Sequence, residues 1–70
     1  VKYSIGDLFL YQSRTLKTSL TLVTYDDRYD TFELEWRNGG GQFVKTPYSR
    51  LMMDKYLNTE AGWSHYPVKQ

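Results

Sequence analysis

The chain has no cysteine in its 70 residues. Disulfides and thiolate metal sites are therefore excluded, and a reduced intracellular compartment is the simpler home. Charge of one sign is also lacking: nine Lys plus Arg against eight Asp plus Glu leave a formal charge of +1. No global field is present of the kind that drives nonspecific nucleic-acid binding or phosphate mimicry. No apolar run approaches the roughly 18 residues a membrane helix needs. The opening VKYSIGDLF lacks the apolar core of a signal peptide. The expectation is a soluble, unprocessed cytoplasmic protein without repeats, linkers or low-complexity segments, and with room for one domain and one modest core.

What the chain has instead is aromatic residues: seven Tyr, three Phe and two Trp. They bury large areas per residue and can keep their polar tips wet, so packing supplies the stability that staples do not.

The organising stretch is residues 31–45, TFELEWRNGGGQFVK. Phe32, Leu34 and Trp36 alternate with Thr31, Glu33, Glu35 and Arg37, the two-residue period of a strand with one buried side. Asn38, Gly39, Gly40 and Gly41 tolerate positive φ and reverse the chain into a returning strand over residues 42–45. Phe32, Leu34 and Trp36 are expected in the core with Leu20 and Leu22.

Ahead of this hairpin, Gly6 and Asp7 form a turn into a first strand at residues 8–12. That strand is apolar on both sides, which predicts cover on both faces. SRTLKT, residues 13–18, reads as a polar basic loop whose Leu16 tucks against the end of the fold. SLTLVTY, residues 19–25, reads as a second strand with Leu20 and Leu22 opposite Thr21, Val23 and Tyr25. DDRYD, residues 26–30, is a polar reversal. After the hairpin, Thr46 and Pro47 fit an N-cap and first helical position, with Ser49 as a later alternative cap. The following helix sets Leu51, Met52 and Tyr56 on one side with Met53 and Leu57 flanking. Residues 58–62 end it, and WSHYPV, residues 63–68, reads as a last strand at an edge or ending at Pro67.

The element order is β-β-β-β-α-β, and the fold class is all-β with one short helix. A five-stranded SH3-like barrel has this order; an oligonucleotide-binding barrel places its helix one strand earlier. A chromodomain-like arrangement of three strands and a closing helix is the alternative. IGDLF, FELEW followed by NGGGQF, and GWSHYP resemble small SH3-like barrels, including KOW and Tudor-type modules. A compact barrel with such an ending also looks like small accessory proteins of tailed bacteriophages. That resemblance implies adjustment of host or phage machinery by binding, in the host cytoplasm, and it carries over no catalytic residue.

Chemistry finds little to work with. His65 is the sole histidine, and its neighbour Ser64 points to the opposite face of a strand, so no nucleophilic triad is assembled. Asp26, Asp27 and Asp30 lack the spacing and glycine of a calcium loop. NGGG joins two strands instead of opening a helix, so it is a flexible hairpin turn and not a phosphate cradle. No enzyme class, cofactor or metal is indicated.

Binding chemistry is better supported. Loops of a meander alternate between its two ends, so Arg14 and Lys17 share one end with the turn after Arg37. Asp26, Asp27 and Asp30, with Asp7, form an acidic pole at the other end. Tyr11 and Phe43 flank the basic pole, and Tyr25 and Tyr29 bracket the acidic turn; such rings stack bases, cradle cations or anchor a protein partner. The reading is a non-catalytic module that binds another protein, with nucleic acid at the basic pole as the alternative.

Overall fold

The computed structural model describes residues 2–58 and 60–69. Five antiparallel strands form one sheet: β1 (Leu8–Gln12), β2 (Lys17–Asp26), β3 (Thr31–Arg37), β4 (Phe43–Ser49) and β5 (Trp63–Tyr66). Their spatial order is β4-β3-β2-β1-β5, a meander whose last strand returns beside the first. A short helical segment between β4 and β5 comprises one α turn, α1 (Arg50–Met52), and one π turn (Met53–Leu57). The order β-β-β-β-α-β is as the sequence implies. Closure is not: β4 and β5 are the two edges of an open sheet, so the expected hydrogen-bonded barrel is not formed. Helical residues touching both edge strands fill the gap with side chains instead. No helix among the described residues is long and apolar enough to cross a membrane.

The twisted sheet has a concave side that holds the core. Phe9, Leu20, Leu22, Phe32, Leu34, Met53 and Leu57 are buried there, with Tyr3, Trp36, Tyr48 and Trp63 packed against them. Strand β1 departs from the expectation of cover on both faces. Phe9 is fully buried, but Leu8 on the convex side is 37% exposed.

Strand β2 also departs from simple alternation. A bulge between Leu22 and Thr24 shifts the register, so that Tyr25 lies opposite Phe32 while Leu22 lies opposite Leu34. The inserted residue carries Tyr25 onto the concave side, where its ring sits 4.7 Å from that of Phe32. A bulge adds twist and bend, which lets the ten-residue β2 serve both halves of the sheet.

The fourth strand is longer than expected and the helix starts later. Thr46 pairs with Leu34 and Pro47 with Glu33. Asn38 donates its N–H to Gln42 O at 2.8 Å, and hydrogen-bonded rungs alternate with open ones from there. Pro47 falls on an open rung, where its missing N–H would have pointed off the free edge. The cap is Ser49, whose hydroxyl accepts from Met52 N. The buried side of the helical segment is Met53 and Leu57, four residues apart, while Leu51 is 74% exposed. The expected stripe of Leu51, Met52 and Tyr56 is thus turned outward. Met53 fills the core, but Met52 does not.

Candidate functional site

One end of the concave trough is plugged and the other is open. Tyr3 plugs the first, with its ring against Phe9, Phe32 and His65 and its hydroxyl donating to Asp54 Oδ1. Burial first, and the Asp54 hydrogen bond next, push this phenol well above its ordinary value. At the opposite end a groove of about 650 Å³ opens between the β1–β2 and β3–β4 turns. Trp36, Tyr48, Trp63 and Leu20 line it, with Leu16 and Lys17 also along its wall. The Trp36 indole donates to Thr46 Oγ1 at 3.0 Å, and Trp63 packs on Tyr11 with ring centroids 5.3 Å apart. Burial raises the Tyr48 phenol above its ordinary value.

Both turns that frame the groove are tightly bonded. Residues 13–16 are a compact reversal in which Ser13 donates its N–H to Leu16 O and accepts at Oγ from Leu16 N; the expected loose loop ends by Lys17, where β2 begins. Leu16 is not tucked in but 55% exposed. In the other turn Asn38 Oδ1 accepts from Gly40 N at 2.9 Å and Gln42 N at 3.0 Å. Of its three glycines only Gly41 takes a positive φ, 82°. The stretch expected to be flexible is thus an ordered Asx-type turn.

The structure brings some of the expected site residues together and separates others. Lys17 and Arg37 meet at the groove. Arg14 lies in the compact turn at the same end, outside the groove lining. Tyr11 and Phe43 do not flank one patch. Tyr11, two residues from buried Phe9, is on the concave side, close over Gly62. Phe43 is opposite Arg37 on the convex side, with the guanidinium 4.7 Å above its ring. Trp36, Tyr48 and Trp63 are not among the residues the sequence marks for binding, and Trp36 reads there as core. Their signal is positional: Trp36 is one residue from the end of β3, and Trp63 opens β5 opposite Tyr11, so both indoles stand at the end shared by the basic turns.

The acidic pole is not as expected. Asp7 does not belong to it: it is 1% exposed and binds three donors. Ser4 N–H (3.0 Å) and His65 Nε2 (2.8 Å) reach its Oδ2, and Val68 N–H (2.9 Å) reaches Oδ1. Burial pushes this carboxyl up, but the Val68 amide, His65 and the Ser4 amide together hold it below its ordinary value. The His65 ring stacks on Phe9, 4.6 Å between centroids and 6° from parallel, while Ser64 lies opposite Leu10 on the other face.

Asp30 is captured as well. Arg50 binds it through Nε at 2.8 Å and Nη2 at 3.0 Å, and the Tyr25 hydroxyl donates to it at 2.7 Å. The Arg50 bonds, then that of Tyr25, hold Asp30 below its ordinary value. Asp26 pairs with Arg28. Tyr25 is therefore committed to holding the turn to the helical segment, whereas Tyr29 is 74% exposed beside a smaller cleft of about 340 Å³. Among the described residues Arg14, Lys17 and Arg37 make no ion pair. The two ends thus differ: one pairs Asp26 and Asp30 with arginines and leaves only Asp27 of its turn exposed without an ion pair among the described residues, and the other leaves its cations beside open aromatic surface.

No protein-family model, curated protein or solved structure matches the chain.

Proposed function

We propose that this domain is a non-catalytic binding module of the SH3-like type. Its ligand is a protein segment that places an apolar side chain between Trp36, Tyr48 and Trp63 and acidic residues beside Lys17 and Arg37. The carrying observation is the groove itself, with rings along its floor and cations that no carboxylate among the described residues neutralises. Buried aromatic anchors supply most of the energy in such contacts, and unpaired rim charges steer and select the partner. The meander, with its helical turn between the fourth and fifth strands, supports the SH3-like reading. The resemblance of the chain to small tailed-phage accessory proteins supports a partner in the bacterial cytoplasm.

Both tryptophans of the chain line the groove, so its occupancy reads directly in intrinsic fluorescence. The test is selection of a displayed peptide library on the nuclease-treated domain, followed by titration of the selected peptides. Ligands with an apolar anchor and acidic flanks are expected, weakened at least about tenfold by Lys17→Glu and by Leu16→Ser. Oligonucleotide binding that falls steeply with salt and ignores Leu16→Ser, with no selected peptide perturbing the indoles, overturns the reading in favour of a nucleic-acid module.

A further inference from the structure

The two free edges of the sheet are not equivalent as templates for another strand. On β5 the bond from Gln12 N–H to Gly62 O, at 3.0 Å, sets the alternation. Ser64 and Tyr66 are tied to β1, while Trp63, His65 and Pro67 turn their main-chain groups off the sheet. Trp63 N–H is already bonded to Glu60 O at 3.2 Å, and proline has no N–H, so His65 is left as the one outward donor. On β4 the outward residues are Phe43 and Lys45, which lie on open rungs opposite Arg37 and Glu35. Their N–H and C=O groups meet no other backbone among the described residues. Pro47 adds a third outward carbonyl and ends the run of donors.

The groove runs beside the β4 edge. Thr46 and Tyr48 line it from β4 and Trp63 from β5, so it is the stretch of the opening between the edge strands that the helical segment leaves unfilled. We propose that the peptide ligand of the groove, whose existence rests on the functional reading above, binds as an added strand on β4 and pairs its main chain with Phe43 and Lys45. Side chains of an extended strand alternate between faces. Ligand residues opposite Val44 and Thr46 therefore turn to the concave side and enter the groove, while those opposite Phe43 and Lys45 turn to the convex side. There Lys45 is exposed and in no ion pair among the described residues, and the Arg37 guanidinium lies over the Phe43 ring. The acids of the ligand accordingly alternate with its apolar anchors, one beside Lys45 and the next beside Arg37. The same cation disfavours a second copy as occupant. A two-fold pairing on so short a run sets the two Lys45 side chains on one face, directly opposite or diagonal at about 7–8 Å, like charge against like.

The probe is the tightest peptide from the selection described above, and amide hydrogen exchange is followed by NMR in the free domain and in the domain saturated with it. The Phe43 and Lys45 amides should exchange at least about tenfold more slowly in the complex, while that of His65 on the other edge changes little. Methylating the amide nitrogens of the peptide one at a time should weaken binding about tenfold at every second position and spare the positions between, because only alternate amides face β4. This scan leaves the domain itself unaltered, so its fold is not at issue. A peptide that perturbs the indoles but leaves Phe43 and Lys45 exchange unchanged, or tolerates methylation without that alternation, overturns strand addition and leaves the groove reading standing. Failure of every peptide to perturb the indoles removes both. Slow exchange of Phe43 and Lys45 that grows with the concentration of the free domain assigns the edge to a second copy and likewise overturns the proposal.

Discussion

Replacing Asp7 by Asn tests whether one buried carboxylate fastens both ends of the fold. In the native protein Oδ2 accepts from the Ser4 amide and from His65, and Oδ1 accepts from the Val68 amide. The carboxamide that replaces it has one oxygen and one NH₂ group for the same three partners. With the oxygen at the Oδ2 position, its NH₂ faces the Val68 N–H, donor against donor. With the oxygen at the Oδ1 position, the NH₂ faces the Ser4 N–H in the same way, while His65 can accept by changing tautomer. Either orientation leaves one buried amide unsatisfied and weakens the rest by removing the charge. At about 1.5–3 kcal/mol for a hydrogen bond to a charged group, plus the unsatisfied donor, the expected loss is about 2–4 kcal/mol. The total stability of a chain this size is about 4–10 kcal/mol, so the effect is plain in a urea titration. The pH dependence follows from the same carboxylate. Its folded value lies below the ordinary 3.8, so in that interval the unfolded chain binds more protons. The contribution is complete above the unfolded value and disappears as pH falls through the folded one. Asp7→Asn should flatten this acid limb as well as lower the plateau. A loss under about 1 kcal/mol with the acid limb unchanged would refute the clasp.

Three glycines should respond to alanine in a fixed order. Gly39→Ala should be nearly neutral; Gly41→Ala, at φ 82° with open space around it, should cost about 1 kcal/mol in backbone strain. Gly62→Ala should cost more than either in urea titrations, because φ is 91° and the new Cβ would lie 2.8 Å from the Tyr11 ring. Met53→Ala, at a fully buried site, should lose about 2–5 kcal/mol, while the exposed Leu51→Ala should fall within about 0.5 kcal/mol of wild type in the same assay. Tyr3 holds its proton past the ordinary value of 10.0. Stability from it should therefore be intact below that value and fade as pH rises through the folded one. Tyr3→Phe should remove the highest step from the tyrosinate absorbance titration.

Strand β3 is legible in the sequence because Phe32, Leu34 and Trp36 alternate with polar residues, and one buried side gives that period no other solution. The meeting of Lys17 with the Arg37 turn follows from the alternation of ends in a meander. The Val23 region carries no local sign of its bulge: a valine inside a β-branched run reads as ordinary strand, yet one extra residue moves Tyr25 across the sheet. Thr46 and Pro47 satisfy the rules for a helix start and those for an edge strand equally well. The deciding fact is the rung on which Pro47 falls. The π turn widens the helical segment and selects Met53 and Leu57 as its buried side. Asp7 and His65 are 58 residues apart, and nothing near either residue announces the other. The alternation of Trp36 points to the core, and it does pack there; that its edge also opens to a groove depends on where the strand stops.

The clasp at Asp7 has a mechanical side. Tension between Ser4 and Val68 loads β1 at Leu8 and β5 at Tyr66, which are partners at the same end of one antiparallel ladder. Once the carboxylate lets go, the rungs open in succession, as in a zipper, instead of sharing the load along their length. A pulling motor that grips the chain would meet its main resistance at that first bond and little behind it, since local opening draws on only a few contacts at a time. A domain held in solution by its aromatic core would therefore yield in the grip of an unfoldase at low force.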